Sequence, residues 1–210
     1  MNQAPITVAL PKGRLYERSR ELLATAGYRL EQSGRELVAT ETNGEVRAII
    51  VKNSDLPTYV QHGIADLGIC GSDVIYESGE TFYELLDLPF GQTRMCLCGR
   101  KDDDDPADST ALHVATKFAR FTRDYFHTRG VPVDIIELGG SVELAPVLGL
   151  APYIVDLVET GGTLRAHGLE IKRELAQTNV RLIANPARYK YFYRRIDEFV
   201  ARLARAAGED

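Results

Sequence analysis

The chain has 210 residues, of which 25 are Lys or Arg and 30 are Asp or Glu; the net charge is −5 and 44% of the residues are apolar. This is enough for one large domain or two small ones with a buried core, and the mildly acidic balance argues against a general nucleic-acid binder. No apolar run reaches the roughly 18–20 residues of a membrane span, and Met1-Asn2-Gln3-Ala4-Pro5 lacks the charged and apolar regions of a secretory signal, so a cytoplasmic protein is expected.

Along the chain, short apolar runs alternate with helical patterns, which argues for α/β architecture with mainly parallel strands. Ile6–Leu10 reads as a strand, and Pro11-Lys12-Gly13 as the turn into a helix from Arg14 to Ala26 that Gly27 ends. Leu37–Thr40 and Val46–Val51 flank Asn43-Gly44, a hairpin signal. Ser54 is placed to cap a helix with Pro57 in its first turn, running to Gly63. Leu67–Cys70 is the next strand, and the polar turn Gly71-Ser72-Asp73 follows. Phe82–Leu88 and Thr93–Cys98 read as two strands separated by Pro89-Phe90-Gly91. After the acidic block Asp102–Asp105 come a strand at Ala111–Thr116, a helix at Phe118–Thr128 and a strand at Val133–Leu138. Gly139-Gly140-Ser141 opens a helix to about Leu148. Leu169 to Ile183 reads as one or two strands. Asn185-Pro186 starts a last helix to about Ala207, with Tyr189, Phe192, Ile196, Phe199, Val200 and Leu203 at helical spacing. Residues 92–175 hold their own strand–helix series. This suggests a second lobe inserted into a first lobe made of residues 1–91 and 176–210.

The three cysteines, Cys70, Cys96 and Cys98, lack metal-ligand spacing and read as reduced, buried small hydrophobes. The scattered histidines form no metal pair. Consecutive acids repel, so Asp102–Asp105 reads as a solvated loop rather than a Mg²⁺ site. The basic residues of the last helix read as a solvent face opposite its apolar stripe.

The chemistry concentrates in Tyr153–Leu164. An apolar β-favouring run carries one internal carboxylate, Asp156. It ends in Glu159, two hydroxyls (Thr160 and Thr163) and the pair Gly161-Gly162. Glycines let backbone N–H groups converge on a phosphate, hydroxyls add donors, and a helix start favours an anion. The two carboxylates suit a ribose diol. Three more turns fall at expected strand ends. Lys12 and Arg14 set two cations beside Gly13 for pyrophosphate, although alone they read as a solvated pair. Gly71-Ser72-Asp73 is the second. Gly139-Gly140-Ser141 followed by Glu143 reads equally as a helix cap with its acid or as an anion cradle.

These residues resemble a known family. Glu143, Gly149, Ala151, Ile154, Asp156, Leu157, Thr160, Gly161, Thr163 and Leu164 stand at the spacing typical of ATP phosphoribosyltransferases. The resemblance runs along nearly the whole chain. It includes Ala9-Leu10-Pro11-Lys12-Gly13-Arg14, Asp55-Leu56-Pro57-Thr58-Tyr59-Val60 with Gly63, and Ala65-Asp66-Leu67-Gly68-Ile69 with Gly71 and Asp73. Glu84-Leu85-Leu86-Asp87-Leu88 and Ala115-Thr116-Lys117 fit as well. One departure is Lys52, where family members often carry arginine; lysine keeps the charge and loses the bidentate fork.

The resemblance implies a two-lobed, periplasmic-binding-protein-like (type II) fold with the active site in the interlobe cleft. It also implies the first reaction of histidine biosynthesis, in which adenine N1 of ATP joins C1 of phosphoribosyl pyrophosphate and pyrophosphate leaves. Asp156, Glu159 and Lys12 are the expected catalytic residues, with Asp156 the candidate general base. The 5-phosphate falls to Thr160, Gly161, Gly162, Thr163 and Leu164. ATP and pyrophosphate fall to Lys12, Gly13, Arg14, Arg35 and Lys52, with Gly71, Ser72, Ser141 and Glu143 from the other turns. Mg²⁺ is expected to travel with the polyphosphates, without direct protein ligands. Because the sequence stops at Asp210, the resemblance points to the short form, which lacks a C-terminal regulatory domain. Such chains pair as catalytic-subunit dimers and join a separate regulatory subunit resembling histidyl-tRNA synthetase in a hetero-octamer. A two-lobed small-molecule sensor without catalysis is the alternative reading.

Overall fold

The computed structural model describes residues 4–32, 36–102 and 111–208. Along the chain come β1 (Ile6–Pro11), α1 (Arg14–Thr25), β2 (Leu30–Glu31), β3 (Val38–Glu41), β4 (Val46–Val51), a 3-10 turn (Asn53–Asp55), α2 (Leu56–Gln61), β5 (Leu67–Gly71) and α3 (Ser72–Ser78). Then follow β6 (Tyr83–Arg100), β7 (Leu112–Thr116), α4 (Ala119–His127), β8 (Val133–Glu137), α5 (Leu144–Leu148), β9 (Tyr153–Val158), α6 (Gly162–Ala166), β10 (Leu169–Ala184) and α7 (Pro186–Ala207).

The chain divides into two compact units, residues 1–91 with 179–210 and residues 92–178. Both divisions fall inside long strands, β6 and β10.

In the first unit the strand order is β2-β3-β4-β1-β5-β10. β1 pairs in parallel with β4 and β5, while β10, β3 and β2 join antiparallel. Val8, Ala9 and Leu10 are fully buried, which a parallel strand covered on both faces requires. On one face lie α1, burying Tyr16, Ser19, Leu22 and Leu23, and α7, burying Ile196, Phe199 and Leu203. Tyr28 packs tilted against Phe199 with ring centroids 5.0 Å apart. The other face is covered by Leu56 and Val60 of α2, with Ile75 of α3. In the second unit the order is β10-β6-β9-β7-β8. β7 pairs in parallel with β8 and β9, and β6 lies antiparallel to β9.

Several expectations change. The parallel pairings lie at the centre of the first unit and at one edge of the second, and the remaining pairings are antiparallel, so the sheet is mixed rather than mainly parallel. Phe82–Leu88 and Thr93–Cys98 belong to one continuous strand, β6. Pro89-Phe90-Gly91 does not end it. Gly91 takes φ 72° inside the strand, and a Cβ there would stand 2.7 Å from both Leu15 Cδ2 and Val180 Cγ2. The glycine therefore absorbs a local kink instead of making a turn.

Gly71-Ser72-Asp73 is no turn, because α3 begins directly at Ser72. Ser54 does not cap α2; the cap position is Asp55, and the Ser54 hydroxyl donates to Asp55 Oδ1 at 2.9 Å. The helix expected from Gly139 starts only at Leu144, with Glu143 itself at the cap position and no side-chain cap bond. Asn185 caps α7 as expected, its Oδ1 accepting from the N–H groups of Ala187 and Arg188 at 2.9 Å each.

Candidate active site

Parallel pairing sets the site of the second unit. β7 lies between β9 and β8, so the segments that leave all three strands emerge on one edge. They are Glu159–Thr163 after β9, Lys117 after β7 and residues 138–143 after β8. The Leu138 N–H donates to the Thr116 carbonyl at 3.0 Å and fixes the third segment beside the second.

Asp156 sits two residues before the end of β9, with its side chain a quarter exposed. Its Oδ1 accepts the Leu157 N–H at 2.8 Å and lies 3.3 Å from Lys117 Nζ. Glu159, Thr160, Gly162 and Thr163 are exposed, whereas Leu164 is buried and anchors α6 in a core with Ile154, Val158 and Leu169. Gly161 takes the left-handed conformation, φ 72° and ψ 11°, at the cap of α6. The N–H groups that open a helix have no partner within it, and Gly162 and Thr163, the first residues of α6, are exposed, as is Thr160 before them. Arg165 folds back to donate from Nη1 to the Thr160 carbonyl at 3.1 Å. His167 Nδ1 stands 2.9 Å from the Thr163 carbonyl, a contact that needs the ring proton on Nδ1. The turn is thus held by its own flanks, while Thr160, Gly162 and Thr163 stay exposed.

Ser141 is the only non-glycine residue at positive φ among the described residues, at 50°. It is exposed, while Val142 beside it is buried and ties the loop to the core. Glu143 is half-buried at the start of α5.

In the first unit the same logic holds. β1, β4 and β5 run parallel, and their ends carry Lys12-Gly13-Arg14, Lys52 and Gly71-Ser72 along one edge. The Lys12 N–H donates to the Val51 carbonyl at 3.0 Å, which sets Lys12 against the segment holding Lys52. Lys12, Gly13, Arg14 and Lys52 are exposed. Gly71 is buried with the Asp73 carboxylate against it, and Ser72 Oγ accepts the Asn179 N–H at 3.2 Å. Arg35 lies outside the described residues, as do Asp103–Asp105 of the acidic block.

Each unit therefore gathers its own expected residues: Asp156, Glu159–Leu164, Ser141 and Glu143 in one, and Lys12, Gly13, Arg14, Lys52, Gly71 and Ser72 in the other. Two residues beside these loops were given no role in the sequence reading: Lys117, seen there only as part of the stretch Ala115-Thr116-Lys117, and Arg165. The signal for Lys117 was its place directly after the strand Ala111–Thr116, whose neighbour in the sheet only the topology reveals. The three cysteines are free and buried. Burial pushes the Cys98 thiol up to about 12 and raises Cys70 further, so neither is a nucleophile.

Residues 52–205 match the family described as HisG: ATP phosphoribosyltransferase. The chain is 43% identical over 201 residues to the ATP phosphoribosyltransferase of Thermoanaerobacter sp. (strain X514), covering 94% of each. Among solved structures it resembles the ATP phosphoribosyl transferase (HisG:HisZ) complex from Thermotoga maritima. The TM-score there is 0.85 and the identity 34%, covering 98% of this chain and 100% of that one. The fold is shared with the periplasmic aliphatic sulphonate binding protein SsuA from Escherichia coli. In that case the TM-score is 0.67 at 13% identity, over 98% of this chain and 73% of that one.

Proposed function

The chain belongs to the ATP phosphoribosyltransferase family, and from that premise we propose which of its residues carry the reaction. The enzyme is a pentosyltransferase of histidine biosynthesis. It forms the bond from adenine N1 of ATP to C1 of phosphoribosyl pyrophosphate, and the C1–oxygen bond breaks as pyrophosphate leaves with the electron pair. Adenine N1 attacks with its own lone pair, so bond formation itself requires no proton acceptor. The ribosyl centre gains positive character as the leaving group departs, so the protein contributes mainly positioning and electrostatics.

In this reading the amides of Gly161–Leu164 and the hydroxyls of Thr160 and Thr163 take the 5-phosphate. Asp156 and Glu159 hold the ribose hydroxyls and stabilise the cationic centre. Lys12 and Arg14, with Lys52, neutralise pyrophosphate or triphosphate. The observation that carries the reading is the β9–α6 connection: a left-handed Gly161 opens a helix whose first residues, Gly162 and Thr163, are exposed, directly after a strand end that carries Asp156 and Glu159. Among the described residues no group of three or more His, Cys, Asp or Glu is arranged to hold a metal ion. Mg²⁺ fits as an ion carried on the polyphosphate oxygens, where it would neutralise charge.

SsuA shares the fold, so the fold alone does not separate an enzyme from a binding module; the family match favours the enzyme. This chain spans all of the Thermotoga chain solved in a HisG:HisZ complex. That supports a separate regulatory subunit, which we take to resemble histidyl-tRNA synthetase, and a hetero-octamer containing catalytic-subunit dimers. Among the described residues no helix is long and apolar enough to cross a membrane; we take the enzyme to be cytoplasmic from its reaction.

Replacing Thr163 by Val tests the phosphate assignment. A hydrogen bond to a charged group is worth about 1.5–3 kcal/mol, so KM for phosphoribosyl pyrophosphate should rise by about 10- to 100-fold with KM for ATP little changed. An unchanged KM for phosphoribosyl pyrophosphate would remove Thr163 from the site.

A further inference from the structure

The Asp156 carboxylate uses only one oxygen within the protein. Oδ1 accepts the Leu157 N–H and faces Lys117 Nζ at 3.3 Å. Oδ2 has no hydrogen-bond or ion-pair partner among the described residues. The register explains the pairing. Thr116 of β7 lies opposite Val155 of β9 in a parallel ladder, so the residues one step further on, Lys117 and Asp156, become neighbours.

Thr116 locks this register. Its buried hydroxyl donates to the Val155 carbonyl at 2.7 Å and accepts the Phe118 N–H at 2.9 Å, pinning the backbone on both sides of Lys117. The ammonium is steered further by the ring of the buried Phe118, 5.0 Å from its centroid. A lysine is a flexible point charge, and here its foot and its path are both constrained.

We propose that Lys117 is a positioning residue for the transfer. It holds the Asp156 carboxylate by Oδ1 in a fixed orientation, so that Oδ2 is presented to the ribose hydroxyls. The inference rests on the assignment of Asp156 to the ribose made above. Because the pair is partly exposed, with side chains 42% and 25% accessible, it adds little to folding stability. Its work is orientation, and small misplacements of a contact group are costly in rate.

The test compares Lys117→Met, Lys117→Arg, Asp156→Asn and the double variant Lys117→Met/Asp156→Asn in the full chain, by pyrophosphate release with ATP, Mg²⁺ and phosphoribosyl pyrophosphate. Lys117→Met should melt at the wild-type temperature and lose at least about ten-fold in kcat/KM for phosphoribosyl pyrophosphate, while KM for ATP stays unchanged. Lys117→Arg should restore most of the loss. In the Asp156→Asn background Lys117→Met should add no further loss, because the residue acts through that carboxylate. If Lys117→Met keeps activity while Asp156→Asn loses it, this inference fails and the ribose assignment stands. Full additivity in the double variant would also overturn it, because Lys117 would then act independently of Asp156. Full activity of Asp156→Asn would instead overturn the ribose assignment itself.

Discussion

Gly161 stands at φ 72°, and a Cβ added there would lie 3.3 Å from Arg165 Nη1 and 3.8 Å from Val158 Cγ1. Space is tight and the backbone region disfavours a side chain by about 1–2 kcal/mol. Gly161→Ala should therefore lower stability by about that amount and weaken phosphoribosyl pyrophosphate binding, measured by thermal melting and by KM; a variant with both unchanged would mean that the turn does not need its left-handed cap. The thiols make a second residue-level prediction. Burial raises Cys98 to about 12 against an ordinary value of 9.0. The folded state then keeps its proton where the unfolded chain loses it, so stability is whole below pH 9 and declines as pH rises from there toward 12. At pH 8 the native protein should react slowly with a thiol reagent, and chemical unfolding should release all three cysteines. Rapid native labelling would contradict the buried placement.

The sequence alone exposed the residues proposed to hold the ribose and its phosphate in one contiguous stretch, because a carboxylate in an apolar strand and a glycine pair after it break the local pattern. Lys117 was invisible in that way. Its partner is 39 positions downstream, and only the β7–β9 register brings the two together.

Among the elements, α7 closes the first unit. Its cap, Asn185, also donates from Nδ2 to the carbonyls of Val60 and Gln61 at 3.0 and 2.8 Å, tying the helix to the end of α2. Asp66, buried beside it, accepts the Thr7 N–H at 2.8 Å and pairs with Arg188. Asn185→Ala removes the cap and leaves two carbonyls without their donor. It should cost about 1–3 kcal/mol in denaturant unfolding, with KM values unchanged; a cost near zero would show that α7 is held by its apolar face alone. The cap was legible because Asn-Pro at a helix start is a local signal. The same kind of local signal misled at Pro89-Phe90-Gly91, where neighbouring strands hold β6 extended through a sequence that would end a strand on its own. The short helix α3 was read as a turn because Gly-Ser-Asp serves both equally well, and packing of Val74 and Ile75 decides for the helix.

At the scale of the whole chain, α/β alternation in the sequence identified the class, since each apolar run needed a helix beside it to cover its faces. The antiparallel β3–β4 pair was legible from the Asn43-Gly44 hairpin signal, whereas the antiparallel pairings of β10 with β5 and of β6 with β9 were not, because no local signal sets the direction of strands so far apart in the chain. Assembly belongs to this scale too. Mixed with a HisZ-type subunit, the chain should elute at the mass of a hetero-octamer in light scattering; a catalytic chain that ignores that subunit would overturn the proposed partnership.

The account turns on the β9–α6 connection as the holder of the sugar phosphate. The most direct test is a crystal structure with phosphoribosyl pyrophosphate bound. The account predicts the 5-phosphate on the amides of Gly161–Leu164 and the ribose hydroxyls on Asp156 and Glu159. A bound substrate whose 5-phosphate lies elsewhere, with that turn empty, would contradict it.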